Sequence, residues 1–262
     1  MDNMLPLHNK RIVVTRGKQQ AKGFAEKIVE LGGIPVEIPL ISIIPANYTH
    51  ENKMVVNKLH EYQWLIFSSA NGVHFFFQHF QEQLDCNVLF PKIAVVGKRT
   101  LEALQQYGHE ASVVPKQFVQ ESLLEALYPY LNSRNRILNV RGNLSRDTIK
   151  SQLINSGYDV TDLVVYQTIE NSESKHKLYR MLTNDDIDVI TFASSSAVKN
   201  FVSLLSGHSI AHYIRGCIVA CIGPITKETA TNLGITVHIC PKEYTLDSML
   251  QELVRYYNRV SN

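Results

Sequence analysis

Six short stretches carry residue types suited to binding an anion: Thr15, Arg16 and Gly17; Ser68, Ser69, Ala70 and Asn71; Gly97 to Thr100; Arg141 and Gly142; Ala193, Ser194, Ser195 and Ser196; and Gly223 to Thr226. Serine, threonine and glycine let backbone N–H groups approach a phosphate or carboxylate closely, and where such a stretch opens a helix the helix dipole adds to the attraction. Arginine supplies a forked, permanently charged donor for carboxylates. Any one of these hydroxyls can equally be an ordinary helix cap. Their recurrence in pairs, with paired arginines, is what argues for a binding surface. Other clusters argue for less. His208 and His212 have the i, i+4 spacing of a metal pair, but no third ligand is near and "SGHSIAHYIRG" reads as a surface connection, so no metal site is expected. Asp185, Asp186 and Asp188 read as a solvated turn before a strand, and no GxGxxG or GxxxxGK[S/T] nucleotide loop is present.

The pairing comes from an internal repeat. "PKQFVQESLLEAL", beginning at Pro115, returns as "PKEYTLDSMLQEL" from Pro241, and the same register sets "AVVGKRTLEALQQYG" against "ACIGPITKETATNLG", with Gly97 on Gly223 and Thr100 on Thr226. One residue less of offset sets "IFSSANGVHFF" against "TFASSSAVKNF" and "RIVVTRG" against "RILNVRG", so Ser69 meets Ser194 and Arg16 meets Arg141. Two copies of one ancestral unit explain this order.

The elements that position these loops alternate between strand and helix. β-branched runs ("RIVVT", "WLIFS", "KIAVVG", "RILNV", "DVITFA", "CIVACIG") are each followed by helical spacing, as in Phe24, Ile28 and Leu31 or Leu123, Leu124 and Leu127. Such alternation predicts right-handed crossovers and mostly parallel sheets, in which ligands sit beyond the carboxyl ends of strands. All six stretches fall at those ends. "GGIPVEIPLISIIP" and "GYDVTDLVVYQTIE" break the rhythm at matching places in the repeat, and as a pair of crossing linkers they would carry the chain out of a first domain early and back late.

Composition sets bounds. With 262 residues, 45% of them apolar, the chain can bury one large core or two modest ones, and duplication favours two. "MDNMLPLHNK" has an early acid and no long apolar run, and "IPLISIIPA" is cut by prolines, so neither a signal peptide nor a membrane span is expected. Cys86, Cys217, Cys221 and Cys240 form no secreted-domain framework and read as reduced thiols of a cytoplasmic protein. A formal net charge of +2, with Lys and Arg spread along the chain, gives no nucleic-acid footprint.

Taken in order, "VTRG", "FSSANGV", "VVGKRT", "RGNLSRDTI", "VVYQT", "FASSSAV" and "IGPIT" resemble the uroporphyrinogen-III synthase family over nearly the whole chain. Departures are small: Gly17 stands where proline is frequent, and Ser68 and Ala193 replace threonines. The resemblance implies two similar parallel-sheet α/β domains of the HemD-like kind, joined by a two-stranded β-ladder linker. The first domain would be discontinuous (1–37 and 171–262), the second would span 44–160, and 38–43 and 161–170 would be the crossing linkers. It places the active site between the domains and implies neither metal nor organic cofactor.

The family's substrate is hydroxymethylbilane, a linear tetrapyrrole bearing acetates and propionates. Loss of hydroxide gives an azafulvene, the terminal ring attacks through its substituted position to form a spiro intermediate, and fragmentation with reclosure leaves that ring inverted. By this resemblance Tyr166 is the proton donor for the leaving hydroxyl, with interdomain packing as its other reading. Thr226 donates to a carboxylate or pyrrole nitrogen, or caps its helix. Thr15, Ser68, Ser69, Asn71, Gly97, Thr100, Gly142, Ser194, Ser195, Ser196 and Gly223 line the substrate site. Arg16, Arg141 and Arg146 pair with substrate carboxylates, although Arg141 could equally hold a loop by bonding carbonyls. A monomer is expected, and transient contact with hydroxymethylbilane synthase is left open. The alternative from another class is a two-domain hinge protein that closes on a small anion without chemistry, which would have no need of a placed proton donor.

Overall fold

The computed structural model describes residues 5–15, 18–83, 90–205 and 210–260. The chain divides into two compact units, Met1–Ser42 with Ile169–Asn262, and Ile43–Thr168.

The first unit is built on a four-stranded sheet in the order β2-β1-β8-β9, formed by β1 (Arg11–Val14), β2 (Ile34–Glu37), β8 (Val189–Phe192) and β9 (Ile218–Cys221). Every pairing in it is parallel. Its helices are α1 (Lys18–Glu30), α7 (Ser172–Thr183), α8 (Ser195–Leu204), α9 (Ile210–Tyr213), α10 (Pro224–Asn232) and α11 (Leu246–Val260). Because side chains alternate across a strand, Val13 faces a core with Ile190, Phe192 and Phe201, whereas Ile12 and Val14 face one with Phe24, Ile28, Leu250 and Leu253. Burial on both faces is why these strands read as continuous β-branched runs rather than alternating ones.

The second unit carries a five-stranded sheet in the order β3-β7-β6-β4-β5, from β3 (Ile41–Pro45), β4 (Trp64–Phe67), β5 (Lys92–Val95), β6 (Arg136–Gly142) and β7 (Asp159–Glu170). The pairings β4 with β5, β4 with β6 and β6 with β7 are parallel. Around it lie α2 (His50–Asn57), α3 (Ala70–Phe80), α4 (Lys98–Gln105), α5 (Gln120–Leu127) and α6 (Thr148–Asn155). One face buries Leu65, Phe67, Phe76, Phe77, Leu138 and Val140; the other buries Trp64, Ile66, Ile137, Leu123, Leu127 and Leu153. Strands β3 and β7 hold the places where the chain passes from one unit to the other, and β7 is paired with β6 from Asp159 as far as Tyr166.

The repeat is visible in detail within each unit. Ala94 bridges Val113 in parallel, and Ala220 bridges Ile239 in the same way. Helices α4 and α10 are followed by Gly108 and Gly234 at φ 77° and 80°, the left-handed conformation that glycine enters without penalty at a helix end.

Candidate functional site

In the second unit, three loops lie at the carboxyl ends of β4, β5 and β6, with β7 alongside at Tyr166. After β4, Ser69 stays extended and its Oγ accepts from the Gly72 N–H at 3.0 Å, which starts α3. Gly97 starts α4 without any side-chain cap. After β6 the chain turns tightly, with the Gly142 N–H donating to Ser145 Oγ at 3.2 Å. The β6–β7 register shifts between Arg141 and Gly142, and Gly142 lies opposite Tyr166. A Cβ at 142 would collide with the Tyr166 ring, so glycine there is what allows the ring to lie across the strand end.

Tyr166 is buried, stacks on Phe75 with centroids 5.7 Å apart, and brings its Oη to 3.2 Å from Ser69 Oγ. Either oxygen can be the donor of that bond. Because Ser69 Oγ already accepts an amide proton, its own proton can go to Tyr166 Oη, which leaves the phenol O–H free to be given away. Two other phenols contact the same strand, and both are spent on structure. Tyr48 Oη donates to the Val165 carbonyl at 3.0 Å and burial pushes its pKa up to about 12; Tyr62 Oη donates to Thr161 Oγ1 at 3.1 Å.

The expected arginines separate. Arg141 is buried and its guanidinium makes three bonds: Nη1 donates to Asp147 at 2.8 Å and Asp162 at 2.9 Å, and Nη2 donates to the Ser145 carbonyl. Asp162 also accepts from Asn139 at 2.8 Å and lies 3.7 Å from Lys150. Arg141 thereby ties the β6–α6 loop to β7 through two carboxylates and one carbonyl. Arg146, in the same loop, is exposed and among the described residues reaches only Glu121, at 3.5 Å. Arg16 and Gly17 lie outside the described residues, as do Cys86 and His208.

In the first unit the matching loops follow β1, β8 and β9. Ser194 repeats the Ser69 geometry, its Oγ accepting from the Ala197 N–H at 3.2 Å and lying 3.0 Å from Ser196 Oγ. Ser195 donates to the Ile225 carbonyl at 3.3 Å, tying the start of α8 to the start of α10. Thr15 is buried and its hydroxyl is used up on the Thr191 carbonyl at 3.0 Å, joining β1 to β8. Thr100 and Thr226 are both buried at the third residue of their helices, and their hydroxyls have no protein partner among the described residues. Ser68 and Asn71 flank the α3 cap, half-buried, with their side chains unbonded among the described residues.

The first-turn amides are the common feature. Among the described residues, those of Ala70 and Asn71 in α3, Lys98 and Arg99 in α4, Ser195 and Ser196 in α8, and Ile225 in α10 have no protein acceptor. Four helix N-termini thus offer unpaired N–H groups at strand ends, two in each unit. Among the described residues no group of three or more His, Cys, Asp or Glu is placed to hold a metal ion, and no helix is long and apolar enough to cross a membrane.

Reading the sequence for ligand contacts missed what Gly142 does for Tyr166; the signal was its pairing partner across two parallel strands, which only register reveals. It also passed over two exposed rings, Phe118 and Tyr244, although their equivalence is written in the repeated phrase.

Fold and strand ends together define a duplicated parallel α/β protein with anion-receptive helix N-termini and one placed phenol. The family model for uroporphyrinogen-III synthase HemD matches residues 22–251, and the chain belongs to that family. It is 30% identical to a uroporphyrinogen-III synthase of Synechococcus elongatus over 94% of both chains. It is also 27% identical to a porphyrin biosynthesis protein HemD of Ruminiclostridium josui over 95% of this chain, and spans about half (49%) of that protein's length. Among solved structures, a mutant uroporphyrinogen III synthase from the extreme thermophile Thermus thermophilus shares the fold with a TM-score of 0.63 at 16% identity, covering 95% of this chain and 99% of that one. These likenesses favour the role in haem biosynthesis over a hinge protein that merely binds an anion.

Proposed function

We propose that this protein is a cyclising hydro-lyase that converts hydroxymethylbilane to uroporphyrinogen III. The observation that carries the reading, beside family membership, is the Tyr166 hydroxyl fixed by Ser69 at the start of α3, next to unpaired helix amides. Substrate acetates and propionates suit those amides, which act as fixed dipoles whose orientation costs nothing at the moment of reaction. Tyr166 gives its proton to the departing hydroxyl, so the C–O bond breaks and water leaves. The terminal ring then attacks the azafulvene through its substituted carbon, the spiro intermediate fragments and recloses, and the proton lost on rearomatisation returns to the phenolate. Holding the flexible bilane folded is the larger task, since the uncatalysed closure yields the type I isomer. Thr226, a buried residue whose hydroxyl has no protein partner among the described residues, serves as a second donor to the substrate.

On this reading the protein acts in the cytoplasm as a monomer. The free cysteines Cys217 and Cys221, whose thiols burial pushes up to about 11 and about 12, suit a reducing compartment. The deciding experiment supplies enzymatically generated hydroxymethylbilane to the purified protein and separates the oxidised porphyrins. Type III product well above the no-protein control is expected; type I alone would refute the assignment.

A further inference from the structure

Two exposed rings occupy equivalent places in the two units. Phe118 precedes α5 and is 59% exposed; Tyr244 precedes α11 and is 63% exposed. Each is the middle residue of a three-residue turn closed by the same bond, Val119 N–H to Gln117 O at 2.9 Å and Thr245 N–H to Glu243 O at 2.8 Å. Each ring is laid over the glycine that starts a helix. A Cβ at Gly97 would meet Phe118 Cγ at 3.2 Å, and one at Gly223 would meet Tyr244 Cγ at 3.2 Å. A single exposed aromatic needs no explanation. Here the turn, the glycine beneath and the outward face all recur, while the ring type itself changes from Phe to Tyr. What the repeat retains is an aromatic face at the mouth of a helix N-terminus whose Lys98 and Arg99 amides, or Ile225 amide, lack a protein acceptor.

We infer that Phe118 and Tyr244 are substrate-binding residues that stack on pyrrole rings while the neighbouring amides take those rings' carboxylates. This rests on the proposed cyclase activity. A π-faced pyrrole edged by carboxylates complements each of these loops, an aromatic face beside N–H donors, and offset stacking of two π-systems adds to the area buried. A pyrrole gripped on its face as well as by its carboxylates is held against rotation, which backbone amides alone would not prevent.

The test compares Phe118→Leu and Tyr244→Leu, which keep apolar bulk, with Phe118→Tyr and Tyr244→Phe, which keep the ring, all against wild type with hydroxymethylbilane. Each Leu variant is expected to unfold at the wild-type temperature, to raise KM about two- to tenfold, and to release more type I isomer. The ring-keeping variants should restore wild-type KM and isomer ratio. A merely structural ring would move the unfolding temperature and not KM, and that result overturns the inference. So do unchanged KM and isomer ratio in both Leu variants of an active protein. Wild-type protein that forms no type III product overturns the cyclase reading itself, and this inference with it.

Discussion

Replacing Tyr166 with Phe removes one oxygen from a buried ring and tests the proposed proton transfer directly. The ring's stack on Phe75 and its fit over Gly142 remain, and the loss is the single hydrogen bond to Ser69 at 3.2 Å. One neutral hydrogen bond contributes about 0.5–1.5 kcal/mol net, and Ser69 keeps its bond from the Gly72 N–H. At about 2–4 °C per kcal/mol for a chain of this size the unfolding temperature should fall by only a few degrees. Catalysis should suffer more. Loss of a general acid costs roughly 10²–10⁴-fold, and with water or a substrate carboxylate able to substitute in part, a fall in kcat of about 10- to 1,000-fold is expected, with KM nearly unchanged. The isomer ratio gives a second readout. Slow ionisation on the enzyme leaves free bilane to close by itself, so type I product should rise as turnover falls. Wild-type turnover and pure type III product from Tyr166→Phe would reduce the residue to packing and refute the reasoning.

The alternation of strand and helix was legible because parallel strands buried on both faces are written as unbroken β-branched runs. Val189–Phe192 and Trp64–Phe67, with every residue buried, are the plain cases. The strand-end loops were legible for a related reason: Ser69 and Ser194 begin helices by bonding their own backbone, a local event. What the sequence concealed depends on register and on competition among partners. Arg141 and Arg146 look alike on paper, separated by one short loop. Yet Asp162, brought alongside by the pairing of β7 with β6, captures the first, while the second points to solvent. Thr15 looks like a loop hydroxyl but is claimed by the Thr191 carbonyl of a strand far along the chain. Local spacing left open that Arg141 holds a loop but named neither partner, because Asp162 and Thr191 are supplied by the sheet order.

Three further outcomes follow from these contacts. Gly142→Ala should destabilise by about 1–3 kcal/mol in denaturant titration, because its Cβ drives into the buried Tyr166 ring, and should cost little in a Tyr166→Ala background; equal costs in both would place the strain elsewhere. His109 stacks on Phe77 and lies tilted against Phe90, and burial lowers its pKa from the ordinary 6.5. The unfolded chain then takes up its proton first as pH falls, so stability is full above the unfolded pKa and is lost on acidification. His109→Phe should therefore flatten the stability profile on the acid side of the ordinary histidine range, and an unchanged slope would discount this group. Finally, the two loop arginines should fail differently. Arg141→Ala strips Asp162, whose side chain is only 17% exposed, of its main counter-charge. Asn139 still donates to it and Lys150 lies 3.7 Å away, so the cost should be nearer about 3 kcal/mol than the upper end for a broken buried pair. Its activity loss should track the fraction unfolded and recover on cooling. Arg146→Ala breaks only an exposed 3.5 Å pair, worth little to stability, so its unfolding temperature should match wild type. If its charge meets a substrate carboxylate, KM alone should rise, and the rise should shrink as salt screens the interaction. An Arg141→Ala protein that unfolds at the wild-type temperature but has lost substrate affinity would reverse the assignment, making Arg141 a ligand contact and Asp162 dispensable to the loop.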